Sequence, residues 1–487
     1  MNMRNLLVLT ILLILISFYF GCGVGSDSVG SPQGGNYGLT PGGAQDFAYI
    51  RSLINNGQIP NPENFVVEGL LSEYDLPLED QGANQEIEIN CSYGYSSDTV
   101  VPYGGMYVQF GFSSNIEAST FHRDPLNLSI VLDKSGSMQT GSASPEYNKI
   151  VLVKEALCYL VDQLGEDDLL SIVLFNENMS LLREPAPVID KALIKSEIRS
   201  VYANGSTNLD VGLREGFELV RDHRNETRSN RVILLTDAMA NTGNFTLANF
   251  SEVVTEGTEY GIDITSFGVG LDFNQELIDY ISTTRGANYF YLNDIERVQQ
   301  LFVEDFELMV TPVAYDLQVE VTPSTIFYLD RTYGFPSAQN GEVSLSIATL
   351  FLSRGSGATL LHFELPENNP LAIQNGTGIA NLSLTYANRN FEQFTDEFEL
   401  VFEGPGIDSP DDSYYDQESV RKAIALAREV QIMQEACLLH YEENNSTEAI
   451  GVLNSLVTYL EGENEHFGED FFADEIALVN KLIQNID

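Results

Sequence analysis

From Leu126 to about Val313 the chain alternates short apolar, β-branched runs with longer amphipathic stretches, and nothing else in the sequence constrains the fold as strongly. The runs are LNLSIVLD, LLSIVLF (169–175), RVILLTD (231–237), DITSFGVG (263–270) and NYFYL (288–292). A strand with one wet face alternates apolar and polar residues, whereas these are apolar almost throughout, as strands covered on both faces must be. Helical periodicity fills the intervals 148–164, 190–203, 208–222, 245–260, 274–285 and 294–310. In KIVLVKEALCYLVDQL, for example, Ile150, Val153, Leu157, Leu160 and Leu164 recur at helical spacing. Strands alternating with helices across short connections predict an α/β fold, a doubly wound and mostly parallel sheet with helices on both faces.

The flanks read differently. After Val313 helical signals stop, and LQVEV, VSLSIATLFLS, ATLLHFEL, ANLSLTYA and EFELVFEG alternate apolar with polar residues between Gly, Asn and Pro. This pattern predicts an antiparallel β-sandwich over 314–405. The C-terminal region, 406–487, is helical from about Gln417, with one long helix followed by two shorter ones. Residues 45–122 form a mixed segment with a helical start in AQDFAYIRSLINNG and strands such as MYVQFGF. Residues 23–44 are rich in Gly, Ser, Pro and Asn and read as a flexible tether.

The first 22 residues carry one Arg, an apolar stretch from Leu6 to Phe20, then Gly21 and Cys22. Fifteen apolar residues suit the core of a signal peptide better than a membrane span, which needs about 20. A Cys directly after a small residue resembles a bacterial lipobox, in which Cys22 is lipidated and becomes the new N-terminus. The other reading of this segment is an uncleaved anchor helix; in both, the rest of the chain is exported. With 71 acidic residues against 24 Lys and Arg, the formal charge is −47. A surface so negative repels phosphate backbones, so a nucleic-acid partner is excluded. Cys91, Cys158 and Cys437 are scattered without ligand spacing; a Cys91–Cys437 bridge is open, and Cys158 sits at a buried helical position.

The chemistry concentrates at the end of the first parallel strand, in LDKSGSMQT. Ligands of open α/β sheets bind beyond the carboxyl ends of the strands. There Asp133, Ser135 and Ser137, two residues apart in a tight loop, can turn three oxygens toward one point. Thr207 in NGSTNLD, just before a helix, and Asp237 at the end of RVILLTD can complete the shell. All five are hard oxygen donors, suited to a hard divalent cation that keeps waters and leaves a coordination position open.

The sequence Asp133-x-Ser135-x-Ser137, followed by Thr207 and Asp237, resembles the metal-ion-dependent adhesion site of von Willebrand factor type A domains. The segment GGAQDFAYIRSLINNGQIPNPENFVVEGLLSEYDLPL and the later SVRKAIALAREVQ are similar to bacterial lipoproteins that carry this domain centrally, here over 123–313. The resemblance implies a six-stranded sheet flanked by helices, with Mg²⁺ (or Mn²⁺ or Ca²⁺) at its top. Asp133 and Asp237 would be charged anchors and Ser135 and Ser137 direct ligands, with Thr207 bound directly or through water. Asn241 matches the family and Ala238 departs from its usual Gly. The family's members bind protein partners whose acidic side chain completes the metal shell. Capping of the next helix is the competing role for the two serines.

The expected protein is therefore a lipid-anchored component of the cell envelope, at the outer membrane or cell surface, that adheres to a protein ligand through a cation. The alternatives are a structural envelope component whose metal only stabilises the fold and, more remotely, a metal-dependent hydrolase. No enzyme is expected. A phosphotransferase of the haloacid-dehalogenase type needs an acid/base two residues after the strand-end Asp, and Ser135 cannot serve. No GxxxxGK[ST], HExxH or GxSxG occurs, and the five histidines are far apart.

Overall fold

The computed structural model describes residues 36–44, 47–79, 87–97, 104–141, 148–225, 227–237, 246–270, 280–281, 283–335, 343–365, 370–409, 411–468 and 470–487. The signal sequence, Cys22, Ala238, Asn241 and most of the helix expected at 274–285 lie outside them. In chain order the strands are β1 (Asn36–Pro41), β2 (Gly43–Ala44), β3 (Ile87–Ser96), β4 (Gly105–Glu117), β5 (Leu126–Asp133), β6 (Leu169–Phe175), β7 (Met179–Pro187), β8 (Ser229–Thr236), β9 (Ile262–Val269) and β10 (Ala287–Leu292). They continue with β11 (Pro312–Pro323), β12 (Tyr328–Tyr333), β13 (Ser344–Ser353), β14 (Gly357–Glu364), β15 (Thr377–Asn388), β16 (Gln393–Phe402) and β17 (Tyr414–Tyr415).

The first sheet runs β2-β10-β9-β8-β5-β6-β7, parallel throughout except where β7 pairs antiparallel with β6. Six of its strands form the expected mostly parallel layer, and the two-residue β2 is added at one edge. Every residue of β5 is buried, because its two faces are claimed by different helices. Leu128, Ile130 and Leu132 pack with Ile150, Val153 and Leu157 of the Lys149–Gln163 helix. Val131 points the other way, toward Leu213 and Phe217 of the Leu209–Asp222 helix. A Cβ on Gly216 would lie 2.3 Å from Val131 Cγ2, so glycine there lets this helix settle onto the strand that carries the site. Strand β7, which holds Pro185 and Pro187 and is half exposed, has the makings of an edge strand rather than a core one.

The second sheet corrects two expectations. Its ten strands run β12-β14-β4-β1-β13-β11-β15-β16, with β3 pairing β4 and β17 pairing β3. The strands expected as a separate sandwich over 314–405 thus share one hydrogen-bonded sheet with those of the 45–122 segment, through the pairs β4–β14 and β1–β13. The end of the expected tether is ordered, since residues 36–44 supply β1 and β2. Gly38 explains why so Gly-rich a run is a strand: its Cβ would lie 2.0 Å from the Gly355 carbonyl oxygen, so only glycine admits that neighbour. The pairing of Cys91 and Cys437, left open by the sequence, is not made among the described residues: the first lies against the core of this sheet, the second within a helical core. Cys158 is buried and free as well.

The helices Glu418–Tyr441, Ser446–Phe467 and Ala473–Ile486 pack against Ala48–Asn55 in a third core that includes Ile50, Ile54, Leu426, Leu453 and Leu482. Arg51 clamps this assembly, with its guanidinium 2.9 Å from Glu73 Oε2 and 2.6 Å from Glu475 Oε1. Among the described residues no helix is long and apolar enough to cross a membrane.

Candidate metal centre

Strand β5 delivers Asp133 to the carboxyl edge of the parallel sheet, beside Phe175 at the end of β6. The side chain is fully buried. Its Oδ1 accepts from the Ser135 backbone N–H at 2.8 Å, and its Oδ2 accepts from Thr236 Oγ1 at 2.6 Å. Burial pushes the carboxyl up to about 6, the two hydrogen bonds opposing the rise only in part. A buried anion with this little compensation is a standing demand for positive charge.

After Asp133 the chain turns into a short 3₁₀ segment, Gly136–Gln139. Ser135 occupies the position before it but makes no capping hydrogen bond with its side chain, which removes the competing role for that serine. Instead Ser135 Oγ lies 3.0 Å from Ser137 Oγ. Ser137 in turn donates to Asp237 Oδ1 at 2.9 Å. With the Ser137 hydrogen spent there, Ser135 is the donor between the two hydroxyls. Asp133, Ser135, Ser137 and Asp237, from residues 100 or more apart at the extremes, therefore stand in one array.

Thr207 belongs to the strap between the Lys191–Ser200 and Leu209–Asp222 helices. The strap is laced to the DKSGS loop: Gly136 N donates to Gly205 O at 2.9 Å, Asn204 N to Lys134 O at 2.7 Å, and the Gln139 amide to Ala203 O. Its far end is tied to β6 by Asn208 N donating to Asn176 O at 2.7 Å. The glycine of the loop serves a close approach rather than a special backbone angle, since a Cβ on Gly136 would be 3.1 Å from Gly205 O. Thr207 is half buried and Ser137 exposed, whereas Asp133, Ser135 and Asp237 are buried. The array is thus a cup closed beneath by carboxylates and open toward hydroxyls.

One member went unnoticed in the sequence. Lys149, the first residue of its helix, is buried and places Nζ 2.8 Å from Asp237 Oδ2. The available signal was a lysine at the start of a helix, where a positive charge opposes the helix dipole.

The donor set suits a small hard cation. An octahedral ion with bonds of ~2.1 Å sets neighbouring ligand oxygens about 3.0 Å apart. The Ser135–Ser137 and Ser137–Asp237 oxygen pairs, at 3.0 and 2.9 Å, have that spacing. Among the described residues no three His, Cys, Asp or Glu side chains converge as a metal-binding group. A cation here would rest on two carboxylates and on hydroxyls, a combination for a hard ion and not a thiophilic one.

Residues 127–304 match the profile of the von Willebrand factor type A domain. The chain is similar to the uncharacterized protein YfbK of Escherichia coli, at 24% identity over 58% of this chain and 49% of that protein. It is also similar to the uncharacterized protein sll0103 of Synechocystis, at 29% identity over 38% of this chain and 42% of that one. The chain therefore spans less than half the length of either relative. Inter-alpha-trypsin inhibitor heavy chain H3 of Mus musculus is 26% identical over 45% of this chain and 24% of its own length. Among solved structures, a von Willebrand factor type A protein from Catenulispora acidiphila superposes with a TM-score of 0.49 at 13% identity, over 80% of this chain and 90% of that one. The profile match falls on the parallel layer and its helices, so the chain contains a von Willebrand factor type A domain, a class that generally mediates protein–protein contact.

Proposed function

We propose that this domain binds a divalent cation, Mg²⁺ before Mn²⁺ or Ca²⁺, through Asp133, Ser135, Ser137, Thr207 and Asp237, and uses it to hold an acidic side chain of a protein partner. The observation that carries the reading is the gathering of Asp133, Ser135, Ser137 and Asp237, from the ends of two neighbouring strands, into one hydrogen-bonded oxygen array. Asp133, buried with an unbalanced charge, supplies the strongest attraction for the ion. Thr236 and the Ser135 N–H orient that carboxylate. The exposed Ser137 and half-buried Thr207 leave the approach open on one side. A bound cation contributes Lewis acidity toward one further anionic oxygen, which is what a partner's Asp or Glu presents. The ion is a bridge in this reading, not a catalyst. Lipidation at Cys22 would hold the protein at the cell envelope, with the antiparallel sheet and the C-terminal helices as scaffold.

The test is capture of partners from detergent-solubilised envelopes by the full-length protein, with Mg²⁺ or with EDTA, comparing wild type with Asp133→Ala. Mg²⁺-dependent capture by the wild type alone is expected. Equal capture by the folded variant, or in EDTA, would assign the cation a purely structural part. Turnover of a phosphate ester or peptide that depends on Asp133 would overturn the reading in favour of an enzyme.

A further inference from the structure

Lys149 is a cation built into the floor of an anionic cup, and helix formation does not account for it. It opens the Lys149–Gln163 helix, the end at which acidic residues are favoured and a positive charge is opposed by the backbone dipole. Capping of that helix is already provided by Asn148, whose side chain accepts from Val151 N. The lysine side chain runs inward, only 6% of the residue being exposed, and ends 2.8 Å from Asp237 Oδ2. Its path is set by Gly270, just beyond β9. A Cβ there would lie 2.4 Å from Lys149 Cε and 2.7 Å from Nζ, and the Gly270 φ of +104° is itself one that other residues rarely adopt. The two oxygens of Asp237 are thus divided, Oδ1 taking the Ser137 hydroxyl and Oδ2 the ammonium.

We propose that Lys149 sets the ligand preference of the cation site: by neutralising half of its carboxylate charge, it leaves a bound dication with net positive charge and so makes a partner carboxylate a better last ligand than water. This rests on the cation-binding function proposed above. With Asp133 and Asp237 alone, a dication would be fully neutralised and an incoming anion would gain little. With Lys149 held against Asp237, one positive charge is left over in a largely buried setting, where Coulomb attraction is several times stronger than in water. Among the described charged residues of the loop and the strap, Lys134 is half buried, and Glu177 is exposed, bonded to Ser206 N and screened by solvent. The local excess matters because the chain as a whole carries −47 and repels any acidic ligand at longer range.

The charge has two effects of opposite sign, which makes the proposal testable without the natural partner. Mn²⁺ serves as the probe ion, its free form counted by electron paramagnetic resonance, and acetate as the probe carboxylate, with Mn²⁺–acetate pairing in solution subtracted. Lys149→Met and the hydrogen-bonding Lys149→Gln are expected to bind Mn²⁺ at least tenfold more tightly than wild type in the absence of acetate. Acetate is expected to tighten Mn²⁺ binding severalfold in wild type and in Lys149→Arg, and to leave the Met and Gln variants unchanged, since coupling between two ligands is reciprocal. Folding of each variant is checked by circular dichroism; Gln, close to lysine in length and uncharged, keeps the comparison available should Met disturb the core. If wild type binds Mn²⁺ but Lys149→Gln binds it no more tightly, or keeps the acetate response, the role assigned to Lys149 is wrong while the cation site stands. If wild type binds no Mn²⁺, the cation site itself is wrong, and this inference with it.

Discussion

Replacing Asp133 with Asn should stabilise the metal-free protein, although Asp133 is the centre of the proposed site. The carboxyl is fully buried and held at about 6 against an ordinary 3.8. Because the folded state holds the proton more tightly than the unfolded state, stability falls as pH rises between those two values, and the whole cost is present above the folded one. At neutral pH the cost is about 3 kcal/mol, from 1.36 kcal/mol for each unit of difference. Asparagine removes the charge and keeps the contacts: its carbonyl can accept from Ser135 N–H, and its amide can donate to the Thr236 hydroxyl, reversing that bond. Imperfect geometry takes back roughly 1 kcal/mol. The expected result in EDTA at pH 7.5 is a urea midpoint for Asp133→Asn above that of wild type, by a stability difference of about 2 kcal/mol. The difference should shrink to roughly 0.6 kcal/mol at pH 5, because the ionisation cost falls to about 1.6 kcal/mol there while the loss from imperfect geometry does not change. Added Mg²⁺ should reverse the order, raising wild type by about 2.7 kcal/mol at a hundred times its Kd and leaving the variant unmoved. A variant less stable than wild type in EDTA at pH 7.5 would refute the argument, because it would mean that the buried anion is already paid for by the protein alone.

Two further outcomes test the packing. Gly216→Ala drives a Cβ to 2.3 Å from Val131 Cγ2 beneath the site and should lower the urea midpoint by a stability loss of ~1–3 kcal/mol; Gly451→Ala, on an open face of the Ser446–Phe467 helix, should instead raise it by up to ~1 kcal/mol. Glu429 is fully buried, neither of its oxygens has a hydrogen-bond partner of good geometry among the described residues, and burial with Glu475 alongside pushes its carboxyl well above the ordinary range. Its folded value exceeds its unfolded one, so wild-type stability should decline as pH rises from about 4.5 toward that folded value. Glu429→Gln should flatten the decline in a series of urea midpoints, and an unchanged slope would place the titration elsewhere.

Much of this molecule was legible in one dimension because the relevant information is local. Strand β5 is apolar at nearly every position since both of its faces meet helices, and its burial follows its letters. The Lys149–Gln163, Leu209–Asp222 and Glu418–Tyr441 helices fall where the periodicity puts them. Asp133, Ser135 and Ser137 share one loop, and Asp237 ends a recognisable strand, so their types and order could be read directly. What tertiary structure alone decided is non-local. Strands β1 and β2 come from a Gly-rich run without strand character, and they exist because β4, β13 and β10 offer open edges and because Gly38 admits the Gly355 backbone. Edge strand β7 has no fully buried residue and carries Pro185 and Pro187, so neither a continuous apolar run nor an alternation marks it in the sequence. Sharing of one sheet between the N-terminal segment and the strands after Val313 depends on backbone hydrogen bonds, which leave no mark on side-chain choice. Lys149 reads as an ordinary surface lysine until Gly270 opens its path and Asp237 meets it from a strand 88 residues away. Periodicity records what each residue faces, whereas which distant residue stands opposite is written only in the folded backbone.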